Sequence, residues 1–100
     1  MKSNRSPWGI IKNVNPVTEG IDFVTTEGHG GYRLSKTQND KVDRRLRINS
    51  GFYEEDCEWS FIYVTFPELF PVSARTPAEA TIARFYPAFL PIALEIISSH

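Results

Sequence analysis

Ile21-Asp22-Phe23-Val24-Thr25-Thr26, then Glu27-Gly28-His29-Gly30-Gly31, then Tyr32-Arg33-Leu34-Ser35 is the stretch whose reading decides the fold. Its first six residues place Ile21, Phe23 and Thr25 on one side of the chain and Asp22, Val24 and Thr26 on the other, the two-residue period of a strand. Three glycines in the next four positions after Glu27 break that run. Residues 32–35 then restart as a short strand, so the glycine stretch reads as a hairpin turn whose glycines supply positive φ. Working back, residues 8–14 (Trp8 to Val14) are rich in aromatic and β-branched side chains and predict a further strand. Asn15-Pro16 and Glu19-Gly20 read as the turns that follow it. Three strands joined by short turns predict an antiparallel meander. Residues 1–7, polar and basic up to Pro7, are expected as a loose lead-in.

Working forward, Ser35 is placed to cap a helix over residues 36–47, with Val42 and Leu46 as a narrow apolar stripe. Asn49-Ser50-Gly51 ends it, since asparagine and glycine tolerate the left-handed conformation. Residues 54–66 favour a helix, because acids gather at the start and Pro67 stops the run, although residues 61–66 have the composition of a strand. Residues 67–73 read as a loop. Thr76, Pro77 and Glu79 have the spacing of a helix start, with Thr76 as cap, and that helix should run to about Tyr86 before Pro87 breaks it. Pro91 suits the first turn of a last helix ending near Ile97. The expected class is α+β: a small three-stranded antiparallel sheet in the N-terminal half, packed with three to four helices in the C-terminal half, as one domain over residues 1–100.

Composition narrows the functional classes. With 41% hydrophobic and 13% aromatic residues among 100, the chain has material for one modest core. A net charge of -1 argues against a generic binder of nucleic acid or anionic membrane. Cys57, the single cysteine, can form neither an internal disulfide nor a multi-cysteine zinc site. No signal peptide is legible, and residues 85–97, broken by Pro87, Pro91 and Glu95, are too short to span a bilayer, so the expected location is cytoplasmic.

The polar signals fall into three groups. His29, among glycines, is placed to approach a ligand, move a proton near neutral pH or bind a metal, and equally to sit in an ordinary turn. The stretch lacks the P-loop lysine and the GxGxxG spacing, so a nucleotide site is not indicated. Glu54, Glu55, Asp56 and Glu58 put four carboxylates in five residues, suited to a cation, a raised-pKa base or a basic partner, or simply to a helix start. Their spacing is not that of an EF-hand. Cys57 among them is disfavoured as a thiolate. Residues 33–47 hold six of the eleven basic residues against Asp40 and Asp43, which makes Arg44, Arg45 and Arg47 candidates for an acidic partner or for phosphates. Trp8, Trp59, Phe61, Phe66, Phe85 and Phe89 read as core rather than as a stacking platform for bases. No complete catalytic constellation, metal site or cofactor site is assigned; the expected site residues are partner contacts at Glu54, Glu55, Asp56, Glu58, Arg44, Arg45, Arg47, His29 and Tyr32.

Ser6-Pro7-Trp8-Gly9, the strand from Ile21, His29-Gly30-Gly31, Tyr53-Glu54-Glu55-Asp56, Glu58-Trp59 and Phe66-Pro67 together resemble a family of small uncharacterised proteins of bacteriophages and mobile elements. The likeness covers roughly residues 6–70, with a weaker echo at Phe85-Tyr86-Pro87. It implies a setting rather than a mechanism: compact proteins of that setting are often inhibitors of host defence, anti-CRISPR proteins among them. The expectation that follows is a non-enzymatic inhibitor binding a host defence protein or nucleoprotein complex and occluding a nucleic-acid-handling surface. The competing expectations are a metal-dependent or other small enzyme on His29 with Glu54, Glu55 or Asp56, and a nucleic-acid-binding accessory protein.

Overall fold

In the computed structural model, which describes residues 4–100, Arg5–Ser6 (β1) and Gly9–Ile10 (β2) pair as a small antiparallel hairpin. Asn13–Thr18 (β3), Ile21–Thr25 (β4) and Gly30–Leu34 (β5) follow; then come the one-turn helix Lys36–Asn39 (α1) and the strand Phe52–Glu54 (β6). The order β3-β4-β5-β6 makes one antiparallel sheet. Trp59–Thr65 (α2), Arg75–Phe85 (α3) and Leu90–Ser98 (α4) complete the chain, linked by 3-10 turns at Pro67–Leu69, Val72–Ala74 and Pro87–Phe89. The class is α+β as expected, but the sheet has four strands rather than three, and the hairpin adds a separate pair.

The register Ile21↔Leu34, Asp22↔Arg33, Phe23↔Tyr32 and Tyr32↔Tyr53 separates two faces. Ile21, Phe23, Tyr32, Leu34 and Tyr53 share one face, which joins the helices in a single core with Phe61, Ile62, Val64, Phe66 and Ile82. Asp22, Val24, Gly31, Arg33 and Phe52 share the other face, and the hairpin lies over it. Trp8 meets Phe52 edge-on at 5.7 Å between ring centroids. Gly31 is glycine for this reason: a Cβ there would lie 2.5 Å from the Trp8 ring and would collide with the Tyr53 carbonyl.

The departures from expectation have local causes. Gly28, Gly30 and Gly31 do not adopt positive φ, which occurs at Gly9, Gly20 and Gly51 instead. The turn is closed by Thr26, whose N–H donates to His29 O at 2.7 Å while its hydroxyl accepts from His29 N at 3.2 Å. The strand expected over residues 8–14 is split: Gly9, at φ +117, and Ile10 form β2 of the hairpin, and after residues 11–12 the chain restarts at Asn13 as β3. Residues 5–6, expected to be loose, are half of the hairpin; residues 1–3 of that lead-in lie outside the described residues. Pro16, read as a turn, lies in β3, an edge strand where a missing N–H is tolerated, and the ladder bulges between Pro16 and Thr18.

The helix expected over residues 36–47 stops after one turn. Ser35 caps it as expected, accepting from Gln38 N at 3.2 Å. Asn39 then turns inward, donating to Ile48 O at 2.9 Å and accepting from the Tyr53 hydroxyl at 2.6 Å. Asp43 takes the Arg45 amide at 2.9 Å. Such side-chain bonds to nearby backbone compete with the helical ladder, and residues 40–47 run as turns. Val42 and Leu46 are nevertheless buried.

The helix expected from Glu54 begins only at Trp59, because residues 52–54 pair with β5. The strand-like composition of residues 61–64 belongs to a helix buried on all sides. Thr76 is not a cap: the 3-10 turn ending at Ala74 runs straight into α3, which starts at Arg75. Pro87 and Pro91 fall where expected, after α3 and in the first turn of α4. Phe85, read as core, is exposed. Among the described residues no helix is long and apolar enough to cross a membrane.

Candidate functional site

The acidic segment is first a piece of local structure. The half-buried Glu54 ends β6, and its carboxylate turns over the following residues to accept from the amides of Asp56 at 3.1 Å, Cys57 at 2.5 Å and Glu58 at 3.1 Å. Glu58 reaches back, its Oε1 accepting from Glu54 N at 3.0 Å. The reciprocal exchange is similar in form to a capping box, but it closes the turn over residues 55–58 that leads from β6 into α2; α2 itself, with Glu58 at its N-cap, has no side-chain cap. Two of the four carboxylates are thus occupied with backbone, while Glu55 and Asp56 are exposed. Cys57 is half-buried, and burial, followed by the charges of Glu54, Asp56 and Glu58, raises its thiol pKa above the ordinary value.

The pairing of β5 with β6 brings the glycine turn to the same end of the sheet. Glu55 N–H donates to Gly30 O at 2.9 Å. Its carboxylate lies over Gly30, where a Cβ would come within 2.5 Å of Oε2. His29, exposed, is therefore a neighbour of this acidic end, but no three His, Cys, Asp or Glu residues gather to hold a metal ion among the described residues. Tyr32 is not part of this corner. It lies on the helix-facing side, 5.1 Å from the Phe23 ring and 6.0 Å from Phe70, and burial raises its hydroxyl pKa.

The three arginines divide by role. Arg47 is spent on the chain itself: Nε and Nη2 donate to Val42 O at 3.0 and 2.9 Å, and Nη2 also reaches Asp40 O at 2.9 Å. Arg45 grips Asp43 with both edges, Nε to Oδ1 at 2.9 Å and Nη2 to Oδ2 at 2.8 Å, and these bonds hold the Asp43 carboxyl far below its usual range. The side chains of Arg44 and Lys41 are exposed and make no ion pair among the described residues. The loop borders an open concavity of about 470 Å3 lined by Asp40, Lys41, Asp43 and the three arginines.

Sequence reading passed over a second place. Between the hairpin and the outer sheet face lies a cavity of about 340 Å3, lined by Arg5, Gly20, Asp22, Arg33, Leu34, Ser35, Ser50 and Phe52. Arg33 Nη2 meets Asp22 Oδ2 there at 2.8 Å, with side chains 14% and 9% exposed. The available signal was an aspartate in the middle of an apolar strand, facing an arginine eleven residues on.

With these groups placed, the chain can be compared with known proteins. A family model described as a domain of unknown function, DUF7007, matches residues 1–96. The chain belongs to that family. The match runs from the hairpin into α4, so the capped acidic turn, the basic loop and the cavity all lie within the DUF7007 domain. No curated protein and no solved structure matches the chain.

Proposed function

We propose that this DUF7007 protein is a binding inhibitor from a phage or mobile element. It docks in the host cytoplasm on a defence complex of the CRISPR-effector kind and covers a surface that handles nucleic acid. The observation that carries this reading is the unequal commitment of the charges. Phosphate mimicry by the acidic segment needs free carboxylates, and Glu54 and Glu58 are bound to backbone amides. Lys41 and Arg44 stand clear on an ordered loop, held by Arg45–Asp43 and by Arg47. An ordered, outward cationic surface suits an acidic patch on a partner, where charge complementarity speeds encounter and fixes register. The Glu55–Asp56 corner is the secondary contact.

The test is charge reversal with a pull-down from host cells and an assay of defence activity. The Lys41→Glu/Arg44→Glu double variant should lose the co-purifying partner and the inhibition together; Glu55→Lys/Asp56→Lys should weaken them less. Retention of both readouts in both double variants would overturn the reading.

The neighbourhood of His29 and Glu55 favours one alternative, an acid/base or metal-dependent activity at that end of the sheet. Elemental analysis of the purified protein and the His29→Ala variant test it. A metal lost with His29, or a turnover abolished by that change, would replace the inhibitor reading.

A further inference from the structure

We infer that the open end of the sheet's helix-facing side, around Phe23 and Glu55, is a docking site for an arginine side chain carried by a partner. The inference concerns this corner alone and does not depend on what the basic loop binds. Strand register sets two rows of residues on that side. Phe23, Tyr32 and Tyr53 form one row. Thr25 and Gly30 begin the next, and Glu55 completes it by donating its N–H to Gly30 O at 2.9 Å. Tyr53 is buried under the helices, whereas Phe23 takes no part in the core among the described residues. It is half-buried and meets Tyr32 edge-on, with 5.1 Å between ring centroids.

Glycine at position 30 brings a carboxylate and a ring together. The point where a Cβ would stand lies 2.5 Å from Glu55 Oε2 and 3.4 Å from Cε1 of Phe23. Glu55 is exposed and makes no ion pair among the described residues. The Tyr32 and Thr25 hydroxyls beside it make no hydrogen bond there either. Asp56 follows Glu55, and Glu27 stands in the turn after β4, against Lys12 ahead of β3, so this end of the sheet is acidic on balance. A guanidinium matches the whole set. Its flat face stacks on an aromatic ring while its edge donates to a carboxylate and to neutral oxygens. A lysine ammonium is a strongly hydrated point charge and gains less from the ring. An anion meets like charge, and an apolar side chain leaves the oxygens without donors.

NMR titration of the full chain with N-acetyl-arginine amide tests the site, beside the neutral citrulline derivative of the same shape and the lysine derivative, at matched pH and ionic strength. The arginine probe should shift the amide signals of Phe23, Thr25, Gly30 and Glu55. It should bind about threefold or more tightly than either control, the ratio that an exposed cation–aromatic contact with one charge pair supports. Glu55→Gln and Phe23→Leu should each weaken it by about threefold, with circular dichroism as the check on folding. Glu55 is exposed, so its variant carries the test even where Phe23→Leu disturbs the fold. The inference fails if the arginine probe leaves those signals unmoved, if citrulline or lysine binds as tightly, or if either folded variant binds at full strength.

Discussion

Glu54→Ala removes the acceptor of three backbone amides in one step, those of Asp56, Cys57 and Glu58. Loss of a side chain that takes up free backbone amides, as at a helix cap, costs about 0.5–2 kcal/mol. Hydrogen bonds to an ionised acceptor stand at the upper end of the usual range, about 1.5–3 kcal/mol each. Residues 55 and 56 are exposed, so water reclaims the Asp56 amide, while the half-buried Cys57 and Glu58 amides are less readily rehydrated. The expected net loss is about 2 kcal/mol, which for a domain of this size lowers Tm by about 8–16 °C. Glu54→Gln keeps an acceptor oxygen and loses the charge, so it should fall between alanine and wild type. Urea unfolding followed by tryptophan fluorescence and by circular dichroism reads both, with Glu55→Ala as the exposed control, expected within about 0.5 kcal/mol of wild type. If Glu54→Ala cost no more than Glu55→Ala, the turn-closing role would be refuted, and Glu54 would return to the set of carboxylates free for a partner.

Three more outcomes follow from the geometry. Gly31→Ala should be strongly destabilising, because its Cβ meets the Trp8 ring and the backbone of Tyr53 and Glu54; Gly28→Ala has nothing within 4 Å and should change the urea midpoint little. Equal effects at the two glycines would show that the hairpin does not press on the sheet. Arg45 holds the Asp43 carboxyl charged in the folded chain to a pH below its ordinary value near 4, so stability from this contact is full above about pH 4 and drains away as the pH falls further. Asp43→Asn should therefore flatten the acid limb of a urea-midpoint profile, and an unchanged limb would count against the pairing. Cys57, raised first by burial and then by its acidic neighbours, should alkylate with iodoacetamide more slowly at neutral pH than free cysteine does, with its rate still rising above pH 9. Reaction at the free-thiol rate near pH 7 would refute that environment.

The parts of the fold that could be read were those set by local chemistry. Alternation at Ile21–Thr25, the Ser35 cap, the stop before Pro87 and Pro91 at a helix start all depend on neighbours in sequence. What could not be read depended on distant partners. β6 is three residues long and is a strand only because β5 offers it an edge. The shortened α1 depends on Asn39 finding Tyr53 and Ile48. The same holds for the candidate sites. Four clustered acids are visible in the sequence, but that two of them are spent closing a turn on backbone amides depends on the path from β6 into α2. The closeness of Gly30 to Glu55, and of Asp22 to Arg33, is set by strand register alone.

The excursion between β5 and β6 leaves and returns through one gate, where Leu34 N–H donates to Gly51 O at 2.9 Å. Inside it, Val42 and Leu46 reach the core and Asn39 meets Tyr53. With those three tethers kept, the exposed side chains of Lys41, Arg44 and Arg45 take no part in the core. Doubling the length of such a loop costs only about 0.6 kcal/mol in closure entropy. Changes of charge at this tip should therefore cost the fold little, and DUF7007 chains should differ most at Lys41, Arg44 and Arg45 and least at Val42, Leu46 and Asn39.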